Sequence, residues 1–134
     1  MIRWRVHVAS PPLIVHALLA TDAGRARFWA ESAEERNGEI DFRFPDGSIW
    51  RGRVLANDPP RSFALDYLGT RVKFELADDG AAGTDVTLVD ESEHPETRAG
   101  WVSVLLALKA AADHGIDLRN HDSRRTWEQG FVDN

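Results

Sequence analysis

The sequence predicts an α+β domain made of six or seven antiparallel strands, two short helices after the first strand, and one long helix near the C-terminus. Residues 33–92 alternate apolar and polar side chains, which is typical of half-buried strands. Short turn signals separate these strands, and tight turns force consecutive strands to pair as antiparallel neighbours. The only long helical periodicity follows this region. Because a sheet with one apolar face must bury that face against another element, we expect the helix to lie across it.

The long helix is predicted from residues 98–114, RAGWVSVLLALKAAADH. Its apolar side chains fall within one stripe about a third of the circumference wide, which is the face that a helix buries. The members of this stripe are Trp101, Val104, Leu105, Leu108, Ala111 and Ala112. Pro95 and Gly115 mark the two ends, because proline is tolerated in a first helical turn and glycine in a left-handed cap.

The chain opens with a strand followed by a short helix. Residues 2–8 alternate apolar and basic side chains and predict a half-buried strand. Ser10 and Pro11 are the residue types of an N-cap and a first turn, so they predict the start of the helix. Ile14 and Leu18 are four residues apart and are expected on its inner face.

A second short helix is predicted over residues 23–31. Thr21 offers an N-cap for it, and the helix carries Phe28 and Trp29. His16, on the preceding helix, is expected to point outward.

Four short signals separate the strands that follow. Asn37-Gly38 predicts a two-residue hairpin turn, since both positions of a type I′ turn need positive φ. Asp46-Gly47 and Asp79-Gly80 mark further turns, and Asp58-Pro59-Pro60 interrupts a ladder because proline has no N–H to donate. Residues 84–90 are predicted as the last strand.

The composition fits one domain and argues against several classes of protein. A chain of 134 residues is large enough to bury a core, and no run approaches the roughly 18 apolar residues of a membrane span. The formal net charge of −6, from 16 basic and 22 acidic residues, argues against a nucleic-acid partner, which needs clustered positive charge. The absence of cysteine and of a signal-peptide pattern predicts a cytoplasmic location.

No residue pattern in the chain requires an enzyme, a metal or a cofactor. The five histidines lack the spacing that three or four convergent metal ligands need, and no nucleophile elbow, phosphate-binding loop or dinucleotide fingerprint is present. Four carboxylates are candidates for the mouth of a cavity, although a solvated face is the favoured interpretation: Asp66, Glu75, Asp90 and Glu91. We therefore expect a function without a metal or a cofactor, and a non-enzymatic one is favoured.

Residues 52–61, GRVLANDPPR, resemble the glycine, hydrophobic strand, double proline and arginine of the SRPBCC or START-like superfamily, in the branch related to the C-terminal domain of the heat-shock-protein-90 ATPase activator. Other motifs of that branch occur in the same order: Ser10-Pro11, Trp29, Asn37-Gly38, Asp46-Gly47, Gly83-Thr84 and Gly100-Trp101. The resemblance covers residues 2–115. It implies a helix-grip fold, in which a curved antiparallel sheet wraps the long helix and leaves an apolar cavity between them.

The resemblance implies three candidate functions. The favoured one is intracellular binding of a hydrophobic or amphipathic small molecule in the cavity. The second is an interaction protein that acts as an ATPase co-factor of a chaperone of the heat-shock-protein-90 type, although no segment matches the separate N-terminal chaperone-binding domain of the eukaryotic activator. The third is a cyclase or aromatase that shapes a polyketide with a few polar groups.

The predicted ligand-binding side chains lie on the inner faces of the strands and of the long helix. They are Phe42, Trp50, Val54, Leu65, Tyr67, Phe74, Trp101, Leu105 and Leu108. The alternative is that these side chains pack only on each other. Ligand pockets are mostly apolar with a few polar groups, and the hydroxyl of Tyr67 needs a partner if it is buried.

Four arginines alternate along two strands and have two interpretations: Arg3, Arg5, Arg51 and Arg53. They form either an anion-binding surface or cross-strand ion pairs with the surplus acidic residues, and the ion pairs are favoured.

Residues 1–115 are expected to form the domain, and residues 116–134 a C-terminal tail. Disordered tails are poor in aromatic residues, so a tail that carries Trp127 and Phe131 is expected to dock. These two side chains share a face if residues 123–129 are helical, with Ser123 or Asp122 as N-cap. The sequence leaves open whether the tail docks on its own domain or on a second copy in a homodimer.

Overall fold

The computed structural model describes residues 1–134 and contains one seven-stranded antiparallel sheet, three α-helices and one short 3₁₀ helix. Its elements are β1 (Ile2–Val8), α1 (Pro12–Ala20), α2 (Asp22–Ala26), β2 (Ser32–Arg36), β3 (Glu39–Arg43), β4 (Ile49–Asp58), β5 (Ser62–Tyr67), β6 (Thr70–Asp78), β7 (Thr84–Asp90), α3 (Pro95–His114) and the 3₁₀ helix Trp127–Gln129. The curved sheet packs on α3, as the predicted helix-grip fold requires. None of the helices combines the length and the apolar character needed to span a membrane.

The strand order in the sheet is β1-β7-β6-β5-β4-β3-β2. Strands β2 to β7 therefore form a meander, and β1 joins it at β7, so β1 and β2 are the two edges. Asn37 and Gly38 have φ of 53° and 82°, which confirms the predicted two-residue turn. Leu68 and Gly69 form a second turn of this kind, with φ of 54° and 77°. Leucine is uncommon at positive φ, so only the glycine of this turn is a residue type that predicts a two-residue hairpin.

Helix α3 buries the predicted stripe against the sheet. Trp101, Leu105, Leu108 and Ala111 are all at least 97% buried, while the two remaining members are partly buried. Gly115 ends the helix with φ of 62°, and a proline occupies the first turn, so both predicted ends are confirmed.

The predicted N-cap of α1 is wrong, because Ser10 binds the C-terminal end of α3 instead. The Ser10 hydroxyl donates to the carbonyl of Ala112 at 2.8 Å. The Asp113 carboxylate accepts hydrogen bonds from the backbone N–H groups of Ala9, at 2.9 Å, and Ser10, at 3.0 Å. Pro11 takes the N-cap position of α1 without a side-chain cap. Ser10 thus fastens the β1–α1 connection to the C-terminal end of α3.

The predicted inner face of α1 is also partly wrong. Ile14 is 49% exposed, whereas His16 is buried together with Val15, Leu18 and Leu19. Helix α1 is apolar on nearly every side, so its periodicity does not distinguish the face that packs on the sheet.

Helix α2 is shorter than predicted and ends at Ala26. The side chain of Arg25 is fully buried and donates to the carbonyls of Ala33, at 3.0 and 2.8 Å, and Leu19, at 3.1 Å, and to the Asp22 carboxylate at 2.6 Å. These bonds hold the chain in a tight turn after α2. The turn carries Phe28 and Trp29 into the core rather than along a helix.

Helix formation over residues 123–129 does not occur. Only Trp127–Gln129 form a 3₁₀ helix, with Thr126 as the N-cap in a capping box. The capping box provides hydrogen-bond partners for the free backbone N–H groups at Thr126 and Gln129, so the helix starts after both predicted N-cap positions.

Candidate functional site

Five aromatic rings fill the space between the sheet and α3, and we call them the aromatic cluster: Trp29, Phe42, Tyr67, Phe74 and Trp101. The ring centroid of Trp29 lies 4.8–5.8 Å from those of the other four. All five side chains are at least 94% buried. These separations are typical of tilted and edge-to-face aromatic pairs, so the cluster is a packed unit.

Each ring of the cluster comes from a different element. Phe42 lies on β3, Tyr67 at the end of β5, Phe74 on β6 and Trp101 on α3, while Trp29 enters from the turn after α2. Gly52 on β4 makes room for them, because a Cβ atom there would lie 3.2 Å from the Phe42 ring and 3.0 Å from a carbonyl of β5.

The structure brings most of the predicted ligand-binding residues together. Leu65, Leu105 and Leu108 are buried beside the aromatic cluster in the same core, and Val54 is partly buried against it. Trp50 differs, because it is 39% exposed. Trp29, at the centre of the cluster, is absent from the predicted set, since a helix over residues 23–31 gave it no inward direction.

Tyr67 is the polar member of the aromatic cluster. Its hydroxyl accepts a long hydrogen bond from the Trp29 indole, with 3.3 Å between the atoms. Burial raises the pKa of Tyr67 well above its usual value, against the weaker effect of this hydrogen bond, so the hydroxyl stays protonated. It donates no hydrogen bond in the structure, and one buried donor remains available.

A second polar group that contacts the aromatic cluster is Asp90, on the inner face of β7. It accepts hydrogen bonds from the Trp101 indole at 2.7 Å, the Thr70 hydroxyl at 2.9 Å and the Ser92 backbone N–H at 2.8 Å. It is 99% buried, so the solvated face favoured for this carboxylate is wrong. Three donors orient Asp90 as an anchor between β7 and α3. Asp66 and Glu75 lie on the outer face, as expected from their positions on strands whose alternate residues point inward. Glu91 follows directly after β7 and is exposed.

An aromatic edge, formed by Phe44 and Trp50, connects the cluster to the solvent. The two rings are 4.6 Å apart, and Trp50 lies 6.0 Å from Tyr67. Ile49, at the start of β4, is 46% exposed, and Leu68, in the β5–β6 turn, is 48% exposed. The apolar core therefore continues to the surface at the β3–β4 and β5–β6 turns.

Two surface concavities lie away from the aromatic cluster. One, of about 180 Å³, lies where α2 and the end of α3 meet the tail: Ala26, Arg27, Ala111, Gly115, Ile116 and Asp117. The other, of about 200 Å³, lies on the outer face of β6 and β7: Arg71, Lys73, Glu75, Val89 and Glu91. Neither concavity is lined by a residue of the predicted ligand-binding set. The space between those residues is occupied by their own side chains.

The histidines are dispersed over the molecule. His7 pairs with Asp79 at 2.8 Å, and His121 lies between Glu31 and Asp117. Buried His16 has no hydrogen-bond partner at Nε2, so its predicted outward orientation is wrong. No three His, Asp or Glu side chains converge as metal ligands do.

The four alternating arginines divide into two pairs. Arg51 lies 3.2 Å from Asp41, and Arg53 lies 3.7 Å from Glu39, which confirms the cross-strand ion pairs between β3 and β4. Arg3 and Arg5 on β1 have no carboxylate within 4.0 Å.

No protein-family model and no curated protein matches the sequence. Several solved structures share the fold. The Aha1 dimer from Colwellia psychrerythraea has a TM-score of 0.76 at 22% identity, over 85% of this chain and 96% of that one. Protein SSP2350 from Staphylococcus saprophyticus has a TM-score of 0.78 at 19% identity, over 88% of this chain and 95% of that one. DynU16, from the dynemicin biosynthetic locus, has a TM-score of 0.72 at 21% identity, over 87% of this chain and 48% of that one. These likenesses confirm the helix-grip fold and, at the level of the fold, the resemblance seen in the sequence.

Proposed function

We propose that the protein binds a flat, largely apolar small molecule that carries an acceptor oxygen, between the sheet and α3. The observation that carries this proposal is the hydroxyl of Tyr67, a protonated donor inside an aromatic cluster that gives it nothing to bond to. A buried donor without an acceptor costs about 1–3 kcal/mol. A ligand carbonyl would satisfy this donor, while its apolar part would pack on the surrounding rings.

Trp50 is the residue that we expect to move when the ligand binds. The rings of the aromatic cluster touch, so a ligand needs at least one ring to leave its place. Trp50 already exposes 39% of its surface and contacts Tyr67 at the aromatic edge. Rotating a half-exposed side chain costs less buried apolar area than moving a fully buried one. The space that Trp50 vacates adjoins the ring of Tyr67, whose centroid lies 6.0 Å from that of Trp50.

The structural neighbours support a small-molecule ligand. DynU16 lies in a biosynthetic locus and shares the fold of this chain. Ligand sites are mostly apolar with a small number of polar groups that fix orientation, and Tyr67 among aromatic rings matches that description.

A fluorescent ketone tests the proposal directly. Prodan, a naphthalene with a ketone oxygen, emits at shorter wavelength in an apolar site, and we expect this shift on titration with the protein. Tyr67→Phe keeps the ring and removes the donor, so it should weaken binding about 5- to 20-fold, the equivalent of one hydrogen bond. Phe131→Leu, at a partly exposed ring of the C-terminal tail, is the matched control and should bind prodan normally.

Native mass spectrometry of the protein purified from its own organism identifies the natural ligand. The expected result is an added apolar or aromatic mass that Tyr67→Phe retains less well. Absence of any bound mass, together with prodan binding that is equal in wild type and Tyr67→Phe, would contradict the proposal.

The likeness to Aha1 over 96% of that chain favours a second candidate function, an interaction with a chaperone of the heat-shock-protein-90 type. Its test is co-purification of such a chaperone with the protein and faster ATP hydrolysis when the protein is added. The same neighbour is a dimer, so a homodimer is part of this candidate, and the mass in solution measures it.

A further inference from the structure

Strand β1 has a neighbour on one side only, since it lies at the edge of the sheet beside β7. Successive peptide groups of a strand point to opposite sides. The His7 carbonyl accepts a hydrogen bond from Lys109 at 2.5 Å, and the Ala9 N–H donates to Asp113, so odd-numbered residues face the free side. The N–H and C=O groups of Arg3 and Arg5 therefore point away from β7 and have no strand partner.

The outer side of this edge carries two arginines that form no ion pair. Arg3 and Arg5 are exposed and have no carboxylate within 4.0 Å, although acidic residues outnumber basic ones by 22 to 16. The equivalent arginines of β4, Arg51 and Arg53, are both paired. The edge strand thus carries two arginines without an ion-pair partner, whereas both arginines of the interior strand are paired.

The inner side of the same edge is apolar and incompletely covered. Trp4 and Val6 point towards α3 but are only partly buried. Arg98 lies over the Trp4 ring, 4.4 Å from its centroid, and Lys109 reaches His7, so this flank of α3 faces β1. Between these two contacts the helix leaves Val102 39% and Leu106 50% exposed.

We propose that the β1 edge binds an extended segment of another protein as an eighth strand, with acidic side chains opposite Arg3 and Arg5 and apolar side chains over Val102 and Leu106. Addition of a strand satisfies the free peptide groups, and the alternating side chains select the sequence. A second copy of this chain is a poor occupant, because antiparallel pairing of β1 with itself would place arginine opposite arginine or histidine. This proposal does not depend on the small-molecule site.

Because the protein is negatively charged overall, an acidic segment is not attracted to its surface in general, and binding at β1 depends on the order of the acidic residues in the segment. At −6, the molecule as a whole repels acidic chains. Charges are screened beyond roughly 8–10 Å at moderate salt, so an acidic segment experiences the two arginines only when it is in place. Binding should therefore require the alternating order of acidic and apolar residues and weaken as salt rises.

Labelled peptides test the proposal with the full chain. The probe is a nine-residue peptide of alternating glutamate and valine that carries fluorescein, compared with a peptide of the same composition in two blocks and with an alternating lysine and valine peptide. Fluorescence anisotropy should show binding of the first peptide at least about tenfold tighter than either of the others. Protection of the Arg3 and Arg5 amide protons from exchange with water should accompany it.

Two double variants locate the site. Arg3→Glu with Arg5→Glu should reverse the preference so that the lysine peptide binds better, while Arg51→Glu with Arg53→Glu should leave binding of the glutamate peptide within about twofold. Arg5→Pro removes one N–H on the free side together with the Arg5 charge, so it should bind the glutamate peptide more weakly than Arg5→Gln does, provided that its circular dichroism is that of wild type. Lack of binding to the alternating glutamate peptide, equal binding of the block peptide, or equal loss in the β4 variant would overturn the proposal.

Discussion

Arg25 shows at the residue scale how one buried charge shapes the chain around it. Its guanidinium is completely buried and joins two backbone carbonyls to Asp22, so the turn after α2 is built around it. We expect Arg25→Met to lower the free energy of unfolding by about 3–5 kcal/mol, because it leaves these carbonyls and the carboxylate without their donor. Urea denaturation measures the change. Arg36→Met, whose side chain is 84% exposed, is the control and should change stability by less than about 0.5 kcal/mol.

Leu105 and Leu106 are adjacent on α3 and test which face of the helix is buried. Leu105 is 3% exposed and Leu106 is 50% exposed. Leu105→Ala should destabilise the protein by about 2–5 kcal/mol, since it leaves a cavity between helix and sheet, and Leu106→Ala by less than about 1 kcal/mol. Thermal or urea unfolding distinguishes them, and equal losses would contradict the assigned face.

Single residues also explain where prediction from sequence fails. Ser10 has the residue type of an N-cap, but a distant partner, Asp113, competes for its hydroxyl. Nothing local to the sequence reveals a contact between residues 103 positions apart. Trp29 is hidden for a similar reason, because the buried bonds of Arg25 direct the chain inward only once the strands are in place.

At the scale of elements, the tail contains a histidine that titrates between two carboxylates. Burial opposes its protonation, but hydrogen bonds to Glu31 and Asp117 outweigh this effect and raise the pKa of His121. Glu31 belongs to the connection before β2, whereas Asp117 belongs to the tail and also binds Arg119, which donates to the Ala26 carbonyl at 2.7 Å. A histidine with a raised pKa stabilises the structure below its unfolded value, and this contribution is lost as pH rises through the raised value.

We therefore expect the tail to be held more tightly at about pH 6 than at about pH 9. The chain has no cysteine, so Ser123→Cys accepts a single nitroxide label whose mobility is measured by electron paramagnetic resonance. The label should become more mobile as pH rises, and His121→Gln should remove this dependence. The matched control is His114→Gln, at an exposed histidine with no partner. A pH response that survives His121→Gln would assign it to another group.

Strands are the elements that the sequence predicts best. Their period of two and their turn residues are local, so the hairpins and the limits of β7 follow from the sequence directly. Helix α3 is predicted equally well, because its apolar stripe is narrow and a proline and a glycine mark its two ends. Helices α1 and α2 are not, since α1 is apolar on nearly every side and α2 is ended by tertiary bonds.

At the scale of the whole molecule, we expect the tail to contribute to thermal stability. Asn120 donates hydrogen bonds to the Arg125 carbonyl and to both the carboxylate and the backbone carbonyl of Asp133. Asn134 donates to the side chain of Asn120, so hydrogen bonds connect the two ends of the last fifteen residues. Deleting residues 120–134 should lower the melting temperature by a few degrees, roughly 1–2 kcal/mol in a domain of this size. Light scattering on the full and shortened chains measures mass. Unchanged mass and unchanged melting temperature would show that the tail neither joins two copies nor supports the domain.

The overall architecture follows from the sequence, but the contents of the core do not. Alternation and turn chemistry determine the class of fold, and the quoted motifs identify its type. Phe42, Tyr67 and Trp101 could enclose a space or fill it, and which of the two occurs depends on how the side-chain volumes fit together in three dimensions. A pattern of apolar positions in the sequence carries no information about that fit. The interior is occupied, and the proposed site therefore rests on the unused donor of Tyr67 and the mobility expected of Trp50.

The pairing of the first strand with the last has a consequence for how the chain matures on the ribosome. Strands β2 to β7 each pair with the strand made just before or after, so this part of the sheet can assemble as it emerges. Strand β1 must wait for β7, and the Asp113 bonds to Ala9 and Ser10 span 104 and 103 positions. Such distant contacts form late and slowly. During that interval Trp4 and Val6 have no cover, so we expect the incomplete chain to be prone to aggregation until α3 has been synthesised.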